Sequence, residues 1–217
     1  NNLFLFKMKK VINLGIPHVG EHIFESIDTP GLINCLEVSE TWKVLTENVL
    51  TKRWKGKMYE PCENGETKIV HLLLERCNSE ENGLNITDGF GRTAFMWACF
   101  NEHKEVVKLL LDHVNSNIEV NARDSFGGTA FTRACKKGHK DIVQLFLNHS
   151  EPNIDLNARD IFGENAFMLA SENGHKDVVK LLLNHSERIE LNSRSNSGRT
   201  SFILACENGH KDVVQIL

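Results

Sequence analysis

Apolar residues in the second half of the chain recur with the spacing of an α-helix rather than the alternation of a β-strand. Val106, Val107, Leu110 and Leu111 fall at i, i+1, i+4 and i+5, which places them on one helical face. Lysine and glutamate take the opposite face. Because this pattern returns in each later part of the chain, it predicts a series of short amphipathic helices, each with one buried face.

A repeated unit organises these helices. Residues 88–96, 124–132 and 160–168 align without gaps and begin 36 residues apart, and a fourth copy begins one residue early at Ser195. The second part of each unit also repeats as Gly-His-Lys-Asp followed by two aliphatic residues, although Glu102 replaces the glycine in the earliest full copy. A single unit cannot bury its apolar face alone, so neighbouring units must stack.

Each unit predicts two helices joined by a tight turn. Thr93, Thr129 and Thr200 precede a short alanine-rich helix, where their hydroxyls can cap free backbone N–H groups. Ala94 and Ala98 are small, which lets neighbouring helices approach closely. A glycine then allows a turn with positive φ before the second, amphipathic helix begins. A polar loop containing asparagine closes the unit.

The composition argues against nucleic acid and membrane as partners. The chain has 25 basic and 29 acidic residues and a net charge of −4, whereas proteins that neutralise phosphates carry a basic excess. No apolar run approaches the roughly 20 residues that span a bilayer, and the opening residues lack the order of a secretory signal. Cys99, Cys135 and Cys206 recur at one position of the unit, where a thiol behaves as a small apolar core residue. No Cys-x-x-Cys pair is present, so we expect reduced cysteines and an intracellular location, cytoplasmic or nuclear.

With these motifs the unit resembles the ankyrin repeat, whose pattern runs Asp-x-x-Gly-x-Thr-Pro-Leu-His, then Ala-x-x-x-Gly-His, then Val-Val-x-Leu-Leu-Leu and Val-Asn-Ala. The resemblance covers roughly residues 57–217 and implies an all-α solenoid of helix-turn-helix units with short hairpin loops. The Pro-Leu-His segment is replaced throughout, which removes the histidine that usually ties adjacent hairpin turns together. The period also exceeds the usual ~33 residues, and we place the additional residues after the second helix, around 115–117 and 151–153.

This resemblance divides the chain into a flexible N-terminus at residues 1–10, a helical segment at 11–56 and ankyrin repeats at 57–217. The repeats are expected at residues 57–87, 88–123, 124–159, 160–194 and 195–217. The first is degenerate and caps the stack, while the last stops inside its second helix, so we expect the natural protein to continue. Because the chain does not begin with methionine, either it is a fragment or Met8 is its true start.

The segment before the repeats has apolar stripes of its own. Val19, Ile23, Phe24 and Ile27 share one helical face, and Asp28 can cap the helix that follows. A segment of about 40 residues is too small to be very stable alone. An apolar stripe that remains uncovered after packing would suit a partner.

Read in order, this segment resembles the F-box motif, most closely that of the beta-transducin-repeat-containing F-box proteins. Residues 15–28 match the opening helix and Trp54 matches the closing Leu-Trp, with Arg53 in place of the leucine. The resemblance implies docking on the Skp-type adaptor of a cullin ubiquitin ligase. The residues implied in this contact are Pro17, Ile23, Phe24, Leu32, Leu36, Val38 and Trp42. The alternative is that residues 11–55 form only a helical cap on the solenoid.

A row of phenylalanines is the candidate target-binding site of the repeats. Phe90, Phe126 and Phe162 precede the turn glycine in three units, and Ser197 breaks the row. If the rings are exposed at the hairpin tips, they form an aromatic ladder suited to binding a target protein. The competing interpretation is that each ring packs on the adjacent hairpin and stiffens the stack.

Histidines recur with the same period in two sets, which invites a metal interpretation. The sets are His103, His139, His175 and His210 at the start of the second helix, and His113, His149 and His185 at its end. Successive members are one repeat apart and no cysteine or carboxylate completes a ligand set, so we predict no metal. No nucleophile, base and orienting group are singled out by position, so we predict neither catalysis nor a cofactor.

These observations predict a protein–protein interaction scaffold. By the F-box resemblance, it is the substrate-recognition subunit of a cullin-type ubiquitin ligase, with the target protein bound by the ankyrin surface. The alternative is a plain ankyrin scaffold with a helical cap and no link to ubiquitin. The two differ in whether the apolar residues of the N-terminal segment form a partner surface or an internal core.

Overall fold

The computed structural model describes residues 27–35, 40–54, 56–76, 83–113, 118–149 and 154–217. Within these ranges all regular secondary structure is helical and no strand is present. The predicted all-α class is therefore confirmed for the described part of the chain.

The helices follow one another in pairs after an initial helical segment. Two helices precede the pairs, α1 (Thr29–Cys35) and α2 (Glu40–Trp54). The paired helices are α3 (Tyr59–Asn64) and α4 (Thr67–Arg76), α5 (Ala94–Phe100) and α6 (Lys104–Asp112), α7 (Ala130–Lys137) and α8 (Lys140–Asn148), α9 (Ala166–Glu172) and α10 (Lys176–Leu183), and α11 (Ser201–Glu207) and α12 (Lys211–Val214).

The pairs stack into two layers. The first helices of the pairs, α3, α5, α7, α9 and α11, pack side by side in one layer. The second helices, α4, α6, α8, α10 and α12, form the other layer, and each first helix also packs on its own partner. At the N-terminal end α2 packs on α4, and α1 packs on α2. The units therefore stack as predicted, which buries the apolar faces of their amphipathic helices.

The core lies between the two layers and is built from equivalent positions of successive units. Phe95 and Phe131 belong to neighbouring units, and both rings meet the ring of Phe146 edge-on, with centroids 5.6 and 5.4 Å away. Cys99 and Cys135 are fully buried, as predicted, and burial raises the pKa of both thiols. The prediction was wrong for Cys206, which is exposed: α11 is the last first-layer helix of the described residues and packs on α9 on one side only.

The predicted threonine caps are confirmed. Thr93, Thr129 and Thr200 are the N-cap residues of α5, α7 and α11, and each hydroxyl accepts the N–H of the residue three positions later. Thr129 also forms a capping box with Thr132, whose hydroxyl accepts the N–H of Thr129 at 2.8 Å. In the third unit Asn165 takes this role, with its side-chain oxygen 3.0 Å from the N–H of Met168.

Backbone hydrogen bonds tie the hairpin turns together although the Pro-Leu-His histidine is missing. The N–H of Ser125 donates to the carbonyl of Phe90 at 2.8 Å, which joins the first two turns. The carbonyls of Phe126 and Phe162 accept equivalent bonds from the following units at 3.0 and 2.9 Å. The turns are therefore held in register by backbone hydrogen bonds, and between the third and fourth turns the Asn196 side-chain amide also donates to the Ile161 carbonyl at 3.0 Å.

The Gly-His histidines tie the opposite ends of the units together. In each case Nε2 lies within hydrogen-bond distance of a carbonyl oxygen at the end of the preceding first helix. These contacts are His103–Glu63 (2.7 Å), His139–Phe100 (2.8 Å), His175–Lys136 (2.8 Å) and His210–Glu172 (2.8 Å). The periodicity of these histidines therefore follows from the contact that each one makes between two successive units.

Each of these histidines lies against the left-handed turn of the unit before it. Gly138 has φ +80°, and a Cβ built there would lie 2.5 Å from Nδ1 of His175, so a side chain at this position would force the ring to move. Glu102 is the exception: it adopts φ 61° without being glycine, and its carboxylate lies 3.3 Å from Nδ1 of His139.

Candidate protein-binding surface

The hairpin tips are shaped by the aspartate that begins each unit. The side chain of this aspartate accepts a hydrogen bond from the N–H of the phenylalanine two residues later. This bond tightens the turn and leaves the phenylalanine at the tip of the hairpin. These bonds are Phe90–Asp88 (2.8 Å), Phe126–Asp124 (2.9 Å) and Phe162–Asp160 (2.9 Å).

The three phenylalanine rings lie at the surface. Phe90 is 57% exposed, Phe126 49% and Phe162 58%. About half of each side chain is therefore accessible and the rest is covered, so packing of the rings within the stack, which was the competing interpretation, also stays a prediction. The row ends at Ser197, which is also exposed. An accessible row is what a binding role requires, although binding by these rings stays a prediction.

An arginine backs the ring in the first unit. The Arg92 guanidinium lies 4.8 Å from the Phe90 ring centroid and 3.9 Å from that of Trp97, so it is stacked between the two. Asp88 accepts from Nε of Arg92 at 2.8 Å and from the Trp97 indole at 3.2 Å. Burial acts to raise the pKa of Asp88, but hydrogen bonds from the N–H groups of Arg92 and Phe90 and from the guanidinium lower it below its usual value.

The second unit reaches a similar arrangement with a different residue. Arg133, on α7, donates to both oxygens of Asp124, from Nε at 2.6 Å and from Nη2 at 2.7 Å. Its guanidinium lies 5.7 Å from the Phe126 ring centroid. Since Arg133 occupies the position of Trp97, the two tips are supported from different places in their units.

A pocket of about 240 Å³ opens between these two tips. Its apolar lining comes from both units, and its charged walls are the arginines and the aspartate described above. The lining residues are Phe90, Arg92, Met96, Phe100, Asp124, Phe126 and Arg133. Beside it, the Lys137 ammonium lies 4.4 Å from the Phe100 ring centroid.

The surface changes character in the third and fourth units. Leu169 replaces the arginine of α7, so no cation backs the Phe162 ring among the described residues. Glu172 takes the place of Phe100 and Lys136. Burial raises the pKa of Glu164, and the carboxylates of Glu172 and Asp160 add to this shift. We call the surface formed by the hairpin tips and the first helices behind them the groove. Its character therefore changes from aromatic in the first unit, through cationic in the second, to acidic in the third and fourth.

Sequence reasoning identified the exposed phenylalanines but missed the residues around them. Arg92, Trp97, Phe100, Arg133 and Lys137 lie at positions that vary between the units of this chain. Variation within an otherwise regular unit was the available signal, because residues that maintain the stack repeat and residues that contact a partner need not.

Of the implied adaptor-binding residues, the structure describes the side chain of Leu32. Leu32 is 0% exposed and belongs to the core, so at this position the segment provides internal packing rather than a surface. The backbone of Trp42 lies in α2. Pro17, Ile23, Phe24, Leu36 and Val38 lie outside the described residues.

Two kinds of site are absent from the described residues. They contain no group of three or more histidine, cysteine, aspartate or glutamate side chains arranged to bind a metal. Among the same residues, no helix combines the length and the apolar character needed to cross a membrane.

Comparison with known proteins agrees with the stacked helical pairs. The family model described as "Ankyrin repeats (3 copies)" matches residues 59–160 and 150–217, which together cover most of the chain. No family model matches the F-box-like segment. No curated protein matches the chain. The repeated unit, the two-layer stack and the family match agree, and the chain belongs to the ankyrin-repeat family.

Proposed function

We propose that this chain is a scaffold that binds a target protein through the hairpin tips of its first three full units. The observation that carries the proposal is the exposure of three phenylalanine rings in one row, between 49% and 58% each, on a framework fixed by hydrogen bonds. Aromatic residues, methionine and arginine are enriched at protein interfaces, and charged lysine and glutamate are depleted. The first two tips combine these favoured residue types.

The rigidity of the tips supports this role. Each tip is tied to its neighbour by a backbone hydrogen bond, and each ring follows an aspartate that fixes its turn. A surface that is already ordered loses little conformational freedom on binding, so more of the contact energy appears as affinity.

The test is capture of proteins from a cell extract by the immobilised chain, compared with a variant carrying Phe90→Ser, Phe126→Ser and Phe162→Ser. Serine is the matched replacement because Ser197 occupies the same position in the last unit. Val44→Ser is the control, since Val44 is exposed on α2, away from the tips. We expect the wild type and the control to retain proteins that the triple variant loses. Equal capture by all three, with unchanged circular dichroism, would contradict binding by the tips.

We further propose that the target is bound for a cullin-type ubiquitin ligase, with the N-terminal segment docking a Skp-type adaptor. The support for this step is the F-box resemblance at Pro17, Ile23, Phe24, Val38 and Trp42. The packing of α1 on α2 gives the segment a helical framework. Leu32 contributes to that framework and is not part of the proposed adaptor contact.

Purified chain and purified Skp-type adaptor test this second step directly. The wild type should retain the adaptor, and the Ile23→Asp, Phe24→Asp double variant should lose it while keeping the same far-ultraviolet circular dichroism. Phe90→Ser is the control, because it changes an exposed aromatic residue of the repeats and should leave adaptor binding intact. Absence of binding by the folded wild type would leave the plain ankyrin scaffold with a helical cap.

A further inference from the structure

We propose that the pocket between Phe90 and Phe126 binds one large apolar side chain of a partner segment, and that this segment carries a carboxylate close to that side chain which pairs with Lys137. This inference rests on the proposed scaffold function and specifies the chemistry of the partner. It identifies the partner as a protein segment with an apolar or aromatic anchor next to aspartate or glutamate.

The volume of the pocket determines the size of the side chain that it can bind. Its volume is about 240 Å³, whereas a cavity of roughly 150 Å³ is enough to bind benzene. One aromatic or large aliphatic side chain therefore fills it, and a second would not fit beside the first. Met96 and Phe100 also line the pocket, so the anchor meets apolar atoms below as well as on both sides.

The two arginines in the pocket walls do not select an acidic partner. Arg92 is paired with Asp88 at 2.8 Å, and Arg133 is paired with Asp124 through two hydrogen bonds. Because each guanidinium already lies against a carboxylate, a carboxylate from a partner would gain little from either of them. Their contribution is to stiffen the walls and to lie over one face of the aromatic rings.

Lys137 differs from the two arginines. It is exposed at the end of α7, and among the described residues it forms no ion pair with a carboxylate. Its ammonium lies 4.4 Å from the centroid of the Phe100 ring, and that same ring lines the pocket. A carboxylate on the residues next to a buried anchor would therefore come within reach of Lys137.

The charge of the groove beyond Lys137 limits how far an acidic segment can extend. Glu172 and Glu164 follow in the third unit, and Glu207 follows in the fourth. Arg199 lies 3.8 Å from a Glu164 oxygen and 3.4 Å from one of Glu207, while Glu172 has no ion pair within the described residues. Like charges repel, so the matching segment is acidic next to the anchor and neutral or basic further along the groove.

The experiment is selection of binders from a display library of short random peptides on immobilised wild type and on three variants. We expect wild-type binders to share an aromatic or large aliphatic residue with aspartate or glutamate close by. Lys137→Glu should keep the anchor and replace the acidic residue by lysine or arginine. Phe126→Ser should abolish enrichment of the anchor, and Phe162→Ser, which lies outside the pocket, should select the same peptides as the wild type.

The affinity of one selected peptide provides a second readout. We expect the Kd of this peptide to rise about tenfold or more with Phe126→Ser. The Kd should also rise with Lys137→Glu. It should fall back toward the wild-type value when the Lys137→Glu variant is paired with a peptide whose acidic residue is exchanged for lysine. The proposal is overturned if the wild type enriches no peptide, or if Lys137→Glu and Phe126→Ser select the wild-type sequences. If capture in cell extract still depends on the three phenylalanines in either case, the scaffold function stands and only the assignment of this pocket is wrong.

Discussion

The histidine that joins one unit to the next can be tested through the glycine beside it. Gly138→Ala places a Cβ 2.5 Å from Nδ1 and 2.8 Å from Cγ of His175, which is closer than non-bonded atoms approach. The ring must move, and we expect its 2.8 Å contact with the Lys136 carbonyl to be lost, because alanine lacks the carboxylate that lies 3.3 Å from His139 Nδ1 in the equivalent turn at Glu102. The substitution should therefore weaken both the left-handed turn and the junction between two units.

The magnitude follows from two separate contributions. A left-handed backbone costs an L-residue about 1–2 kcal/mol, while the lost flexibility of the unfolded chain returns about 0.4–1 kcal/mol. Loss of the histidine hydrogen bond adds about 0.5–1.5 kcal/mol. We therefore expect Gly138→Ala to lower the free energy of unfolding by about 0.5–3 kcal/mol.

A double-mutant cycle with His175→Ala separates the two contributions. Once the ring is absent, Gly138→Ala should cost only the backbone term, which gives a coupling energy of about 1 kcal/mol between the two sites. The assay is urea unfolding followed by circular dichroism at 222 nm. Gly209→Ala is the matched control, because Gly209 has φ +72° and nothing within 4 Å of its Cβ position. A coupling energy of zero would refute the reasoning that this glycine is needed to make room for the histidine.

Other predictions test the core, the tips and the cysteines. Phe131→Ala should lower the free energy of unfolding by about 3–5 kcal/mol in urea titration, since Phe131 is buried. Phe202→Ala at the equivalent, exposed position should change it by less than about 0.5 kcal/mol. Because the pKa of Asp88 is lower in the folded state than in the unfolded state, its carboxylate stabilises the fold at pH values above the usual carboxyl range. This stabilisation is lost as the pH falls through the folded-state pKa. In urea titrations from pH 7 to 3, Asp88→Asn, which keeps a side-chain oxygen acceptor, should therefore lose less stability than the wild type. Iodoacetamide at neutral pH should modify Cys206 in the folded protein, and peptide mass mapping should find Cys135 modified only after unfolding, because burial raises the pKa of that thiol.

Features that depend on one unit could be predicted from the sequence. The helical periodicity, the threonine caps and the left-handed glycine turns each follow from residues a few positions apart, and the structure contains them. The ends of the stack could not be predicted in the same way. Cys206 and Phe202 occupy the same positions of the unit as the buried Cys135 and Phe131, yet they are exposed because burial depends on a neighbouring unit.

The pocket could not be predicted because it joins two units through residues that do not repeat. The sequence gives no spacing rule for a contact between an arginine of one helix and the ring of its own hairpin tip, as in Arg133 and Phe126. Likewise, the proximity of Lys137 to Phe100 depends on how closely α5 and α7 pack. Such contacts follow from the three-dimensional stack and not from the pattern within a unit.

Within each unit, the residues that hold the stack together are distinct from the residues that shape the groove. This separation explains how the groove can vary while the fold stays the same. Aspartate, threonine, glycine and histidine recur because they form the turns, caps and junctions described above, and their hydrogen bonds use backbone groups that every unit has. The position of Trp97 is occupied by Arg133, Leu169 and Leu204 in the following units, and none of these side chains takes part in a junction of that kind. Substitutions there alter the charge and shape of the groove while the junctions remain. Binding specificity in this chain is therefore expected to lie in its departures from the repeat, and stability in the residues that recur.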